Sequence, residues 1–497
     1  MAKEKNLKIL NALFIIIFFY ITNNQDIFLY VFSFSLIKIY DTLLEDFGIS
    51  FLLKKYYDLK DHLTVLRLKN ISIFLVTMLV IIFSLFNYLL GIILNIYLKI
   101  NFLPETFLIA SLTLINKPLL KITSNYLSLY GRKNNIKIIY KILSLFIFTL
   151  NAILFFRVFK VNNLLSIYLL IISPLVSLLI VYLSLTIFNK KKIKLKNNTL
   201  TKVNYLKIIK ENYKKCLNVK LPKVLLASVN YLSILFLYYA LFHLYHYNQE
   251  DIHMVIDLTY FYGLNVILII AYISYYMVNK KIELLKNDTT NINVLSYQIN
   301  NLFNIILKTL FPITIICSVL YKAIWILIFN VKYDYSIIIF LIFMIFFLII
   351  YNIFTQILGL FNNKKTFLIS TLIIIIFKLI MTIPCINSLY MMGYNQVYGE
   401  IFSTTISDIL GIIFILISLN KKYQINFTDN FPNILNLLYN NIILTLILLL
   451  LSLVYQVNIE NPLSSLISII IYSVVGILVF IIKIYLDKLI FEKKRLS

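Results

Sequence analysis

The chain is poor in the residues on which nucleotide and metal chemistry depend. Its 497 residues include only 9 glycines and 3 cysteines. No GxxxxGK[ST] run and no glycine-rich phosphate loop occurs, so the sequence offers no backbone cradle for a nucleotide. Cys216, Cys317 and Cys385 lie far apart without metal-type spacing, and neither a disulfide framework nor a zinc site follows. Charge is scarce as well. Only 13% of residues are Asp, Glu, Lys or Arg, against about a quarter in a soluble globular domain. The formal net charge of +25 does not mark a nucleic-acid binder, because the basic residues fall in short segments between apolar runs rather than along one polar surface.

Apolar sequence is what the chain has in abundance. Hydrophobic residues make up 61% of it, and the mean hydropathy is +0.89. They come in runs of about twenty, the length at which a helix crosses a bilayer core of about 30 Å. Fourteen such segments are predicted, at 7–22, 27–52, 70–98, 103–129, 138–159, 164–188, 221–247, 255–278, 302–329, 336–361, 366–388, 397–419, 437–455 and 465–486. The amino end, MAKEKNLK before an apolar run to Ile21, lacks a small-residue cleavage site and reads as the first span. The expected fold is an all-α polytopic membrane protein with about fourteen transmembrane helices.

Basic residues orient that set of spans. With the amino terminus inside, 36 of the 46 Lys and Arg fall in inside segments and 4 in outside connections, namely Lys99, Arg157, Lys160 and Lys332. Such a split follows the positive-inside rule, with both termini cytoplasmic. The longest extramembrane stretch, 189–220, is basic, and Leu206, Ile209, Tyr213 and Leu217 recur in it at helical spacing. It reads as an orienting loop, or as a helix lying on an anionic leaflet. It also divides two similar halves. GISFLLKKYYDLKDH after the second span is matched by YISYYMVNKKIELLKND after the eighth, and SLYGRKNN by GLFNNKKT. The expected organisation is a six-helix lobe over 1–188, a basic cytoplasmic linker over 189–220, a second six-helix lobe over 221–423, and two extra spans with a basic tail over 424–497. Parallel repeats of this kind are a transporter layout, with the substrate site between the halves.

A charge at the bilayer centre costs about 2.5–3.5 kcal/mol on the insertion scale, so each one needs a reason. Lys38, Asp41 and Glu45 share one face of the second span. Lys117, Lys121, Ser124, Asn125 and Ser128 form a polar stripe on the fourth. These residues either line a water-filled cavity for an anionic substrate or form salt bridges that fix one span to the other. In the second half, Lys378 and Asp408 lie at similar depth on consecutive antiparallel spans and are expected to pair. Glu400, Thr404, Ser407, Asp408 and Gly411 continue one polar face, and Asp257 gives the eighth span a polar side. The candidate substrate-binding residues are therefore Lys38, Asp41, Glu45, Lys117, Lys121, Asp257, Lys378 and Asp408. His243, His246 and His253 surround Glu250 and Asp251, but Tyr and His are ordinary interfacial residues, and no metal or other cofactor is expected. No enzyme is expected; a membrane glycosyltransferase or polysaccharide polymerase stays as an alternative, although such enzymes usually carry a long outside loop with catalytic groups and the longest here is about ten residues.

Three stretches carry a family resemblance. LEDFGISFLLKKYYDLKDHLTVLRLKN, LPKVLLASVNYL and FTQILGLFNNKKTFLISTLIIIIFKLIMTIP resemble the second span and its loop, the start of the second half, and the tenth and eleventh spans of the multidrug/oligosaccharidyl-lipid/polysaccharide (MOP) exporter superfamily. The third includes a mid-span lysine matched by Lys378. The resemblance is to its polysaccharide and lipid-linked-oligosaccharide flippases, including the lipid II flippases. It implies a two-lobed protein of the bacterial cytoplasmic membrane that alternates between inward-open and outward-open states. The implied substrate is an undecaprenyl-diphosphate-linked sugar, its diphosphate held by cavity cations and its tail by an apolar groove at the two extra spans. Membrane lipids and a coupling ion, proton or sodium, are the implied partners, with no nucleic acid. The lipid II branch tends to place arginines in its cavity. This chain has lysines there, and its four arginines, Arg67, Arg132, Arg157 and Arg495, all lie away from mid-span. Lysine cannot make the bidentate phosphate fork. Drug/cation antiporters of the same superfamily are the alternative; they would have twelve spans and a cavity dominated by carboxylates.

The charge asymmetry yields a direct test. An impermeant thiol reagent applied to intact cells is expected to label a cysteine placed at Gln249 and to miss one placed at Asn197. The reverse pattern would refute the orientation and the repeat argument together.

Overall fold

The computed structural model describes residues 18, 21, 27–44, 49–59, 61–130, 136–159, 163–188, 205–264, 292–329, 336–361, 363–425, 431–456 and 462–496. Among the described residues the chain is helical throughout, and nine helices are long and apolar enough to cross a membrane. The protein is an all-α, multi-pass membrane protein. It forms two compact units, Met1–Tyr262 and Gly263–Ser497.

The first unit contains α1 (Phe28–Leu44), α2 (Ile49–Asp58), α3 (His62–Leu98), α4 (Leu103–Leu112), α5 (Asn116–Leu129), α6 (Ile136–Ala152), α7 (Asn163–Phe188), α8 (Tyr205–Tyr239) and α9 (Gln249–Ile256). Lipid is as apolar as leucine, so helices do not associate there through the hydrophobic effect; close packing and hydrogen bonds between helices hold them together. Helices α3 and α4 show both devices. A Cβ at Gly91 would lie 2.7 Å from Pro104 Cα, so the two backbones touch. Four residues earlier on α3, Asn87 Nδ2 donates to Ser111 Oγ at 2.7 Å in a buried contact. Asn151 and Ser173 join α6 to α7 in the same way at 2.9 Å. The opposite face of α3 exposes Ile81, Leu85, Phe86, Leu89, Ile93 and Ile96, as a lipid-facing surface requires.

Local breaks are attributable to sequence. Asp61 caps α3 by accepting from the Thr64 N–H at 3.1 Å, and Lys99 closes it in the left-handed conformation, φ 55°. Between α4 and α5 a 3₁₀ turn over Thr113–Ile115 precedes Pro118, whose missing N–H interrupts the α-helical ladder. Helix α8 lies along α1, where Tyr238 stacks on Phe28 and Tyr231 on Phe32. The span that the repeat places at the head of the second lobe therefore packs within the first compact unit.

The second unit contains α10 (Ile292–Val319), α11 (Tyr321–Phe329), α12 (Ser336–Leu360), α13 (Lys364–Met391), α14 (Gln396–Tyr423), α15 (Phe431–Val454) and α16 (Pro462–Leu496). Helix α12 is the most apolar and the most enclosed of the nine spans. Helices α13 and α14 form a tight antiparallel hairpin with a fixed register. A Cβ at Gly399 would come within 2.4 Å of Ile386 Cα, and one at Gly411 within 2.8 Å of Ile374 Cδ1. The last two helices pack on α10 and α11 through Ile316, Leu320, Leu444, Leu448 and Tyr472. Tyr472 satisfies its hydroxyl on the Tyr455 carbonyl at 2.6 Å.

The hairpin contact predicts opposite outcomes at two glycines. Gly399→Ala is expected to destabilise the protein by about 1–3 kcal/mol, because the added methyl meets backbone that cannot move aside. Gly359, with nothing within 4 Å of its Cβ position, should tolerate alanine with a gain of up to about 1 kcal/mol from helix propensity. Unfolding of the purified variants in detergent would measure both.

Candidate functional site: intramembrane charges in each unit

In the first unit the polar faces of α1 and α5 meet. Asp41 lies thirteen residues into α1, and Lys117 is fourteen residues beyond the start of α4, with which α5 is nearly continuous. Both are thus about 20 Å from their helix starts at 1.5 Å per residue. Lys117 Nζ is 2.7 Å from Asp41 Oδ2, with the lysine side chain 54% exposed and the aspartate 16%. Lys38 lies one turn before Asp41 on the same helix. Lys121 is half-buried one turn beyond Lys117. Further along, Asn125 donates to Ser50 Oγ of α2, and Ser124 Oγ donates to the Lys121 carbonyl at 3.1 Å. Glu45 lies outside the described residues.

An ammonium group at this depth cannot face lipid without a large cost. A salt bridge thus joins α1 to α5, as one of the two readings of these stripes expected, and its lysine side chain stays half exposed.

Asp257 is placed elsewhere. It is buried at the amino end of α1, where Oδ2 accepts from the Ile27 N–H at 3.0 Å. A carboxylate there satisfies an unpaired donor and complements the helix dipole. Ten residues of α1 separate this end from Lys38, about 15 Å of helix. The histidines are dispersed as well. His253 stacks on Phe28 with centroids 4.2 Å apart, and His243 Nε2 lies 2.8 Å from the Tyr97 carbonyl oxygen. Among the described residues no group of three His, Cys, Asp or Glu side chains is placed to hold a metal ion.

The second unit corrects one expectation. Lys378 does not pair with Asp408; its Nζ lies 2.6 Å from Glu400 Oε1, with both side chains 0% exposed. The hairpin register sets Lys378 level with Ser407 and Asp408, which is why depth alone favoured that pair. The long lysine side chain instead reaches along α14 to two acceptors, Glu400 Oε1 and Thr404 Oγ1. Thr404 Oγ1 in turn lies 2.9 Å from Glu400 Oε1, so the three groups form a closed set. Thr382 and Ser403, 3.2 Å apart, extend the polar contact between the helices. Glu400 was visible in the sequence as part of the polar face of α14, but the reach of Lys378 along the helix was not.

The second unit also holds an apolar cavity of about 310 Å³, lined among others by Phe303 and Phe311 of α10, Phe346 and Phe347 of α12, Ile412 of α14 and Leu438 of α15. One of the two extra helices thus forms part of an apolar recess.

No protein-family model and no curated protein matches the chain. Solved structures do. The chain is similar to "Lipid II flippase MurJ, inward closed conformation", at 16% identity and TM-score 0.64, over 98% of this chain and 97% of that one. It is similar to an inward-facing multidrug resistance MATE family transporter of the MOP superfamily, at 13% identity and TM-score 0.59, over 84% and 95%. The eukaryotic MATE transporter AtDTX14 aligns at 13% identity and TM-score 0.51, over 84% and 93%. At these identities the likeness defines architecture, and the chain has the fold of the MOP-superfamily transporters.

The corrected pair has a measurable signature. Lys378→Ala is expected to cost about 3–5 kcal/mol by stranding a buried carboxylate. Adding Glu400→Ala should recover part of that loss, and adding Asp408→Ala much less. A double-mutant cycle without coupling between Lys378 and Glu400 would contradict the geometry.

Proposed function

We propose that the chain is a flippase or exporter that moves a lipid-linked oligosaccharide or polysaccharide precursor, carried on undecaprenyl diphosphate, across the bacterial cytoplasmic membrane by alternating access. The observation that carries this reading is the group of three lysines, Lys38, Lys117 and Lys121, within a turn of the Asp41–Lys117 salt bridge where α1 meets α5. A diphosphate brings more negative charge than Asp41 can offset, and charge-assisted hydrogen bonds to its oxygens are the stronger kind. Lysines would hold it as point charges rather than as bidentate forks.

Two further features support a lipid-linked cargo. The apolar recess bordered by α15 is chemically suited to an acyl or prenyl chain. Likeness to the lipid II flippase extends over 98% of the chain, whereas likeness to the MATE transporters stops at 84%. The second reading, a drug/cation antiporter, is favoured by the MATE fold likeness. It would require the Asp41 carboxylate, rather than the lysines, to meet the substrate. Nothing in this mechanism needs covalent chemistry. Transport would be driven by an ion gradient, the membrane potential or the gradient of the lipid-linked substrate.

Lys38→Gln and Lys117→Gln are expected to leave membrane abundance near normal and to reduce flipping by about tenfold or more, as befits loss of a hydrogen bond to a charged group worth about 1.5–3 kcal/mol. Abundance and flipping must be measured on the same variants. Abundance that falls and is restored by Asp41→Asn would make the lysines structural and remove the basis for the site.

A further inference from the structure

Helix α14 presents two carboxylates on one face, Glu400 and Asp408, at 0% and 1% exposure. From α13 a single cation, Lys378, faces them, itself 0% exposed. From α12 the titratable neighbour is Tyr351, whose ring lies against the Gly411 position one turn from Asp408 and whose hydroxyl is 3.1 Å from Ser370 Oγ. Lys378 is engaged by Glu400 and Thr404. Asp408 Oδ2, buried in the same hairpin, has no hydrogen-bond partner. With all three groups ionised, the set would hold a net negative charge on fully buried side chains, an arrangement that costs several kcal/mol. One proton on the carboxylates makes it neutral.

We infer that the Lys378–Glu400–Asp408 set is a proton-binding site, with Asp408 carrying the proton in this state. A metal cation is the poorer occupant. Hard cations such as calcium and magnesium take about six or more oxygen ligands, and here the ammonium of Lys378 already holds the Glu400 and Thr404 oxygens. The register also provides a second state. Lys378 is level with Asp408, and Thr404 lies one turn away on the same helix. If Lys378 moves to Asp408, the proton leaves the Asp408 carboxyl and is replaced by one on Glu400. The set stays neutral, and the proton has shifted two helical turns along α14. In the transport proposed above, that shift would make the proton the coupling ion. This last clause rests on the transporter reading; the bound proton does not.

Infrared spectroscopy of the full-length protein in lipid nanodiscs tests the site without any substrate. The wild type at neutral pH is expected to show a protonated-carboxyl stretch that shifts on exchange into D₂O. The band should vanish in Asp408→Asn and move, rather than vanish, in Asp408→Glu, which guards against loss through misfolding. Absence of the band in the wild type would mean that Asp408 is ionised and would overturn the proposal. A band that persists unshifted in D₂O would overturn its exchange with solvent, and with it the coupling role. Thermal stabilisation by sodium chloride over choline chloride, lost in Asp408→Asn, would replace the proton with a metal ion. Loss of flipping activity bears on none of these readouts, so failure of the flippase reading and failure of the proton site are distinguishable.

Discussion

Within a bilayer no water is available to a polar group, and this one condition organises the molecule. A buried hydroxyl, amide or charge in a span is costly unless it finds a partner inside the helix bundle. Asn87 on Ser111, Asn151 on Ser173 and Thr382 on Ser403 are the neutral form of that rule. Lys378 on Glu400 is its ionic form. These contacts require helices at close range, and close range requires small residues. Gly91 against Pro104 and Gly399 against Ile386 bring two helix pairs close enough for the polar contacts to form.

The two units answer the condition differently. In the first, the cation of the Asp41–Lys117 bridge stays half exposed. A partly exposed ion pair contributes little to stability. In the second, Lys378 and Glu400 are sealed, and removing either would strand the other.

Much of this was legible in the chain before any coordinates. Runs of about twenty apolar residues marked the spans, and Lys38, Asp41, Lys117 and Lys378 stood out because each interrupts such a run. The facing of α1 and α5 followed less directly, from two polar stripes that each required a partner. Lys378 shows where the pattern stops. Depth matched it to Asp408, but a flexible side chain can cross more than a helical turn to reach two acceptors instead of one. Asp257 shows the same limit, since its partner is a backbone N–H 230 residues away. Backbone donors look alike in every sequence.

By itself, then, the sequence determined that this is a helical membrane protein and which residues are out of place in its spans. Hydrophobicity summed over about twenty residues is a local property. Only the tertiary structure decided which carboxylate holds Lys378, which is left with an unpartnered oxygen, which aspartate closes a helix end, and where two backbones touch. Those outcomes depend on the register between helices and on side-chain reach across it. Register in lipid is set by small-residue contacts between segments distant in the chain, and no local pattern of polarity records it.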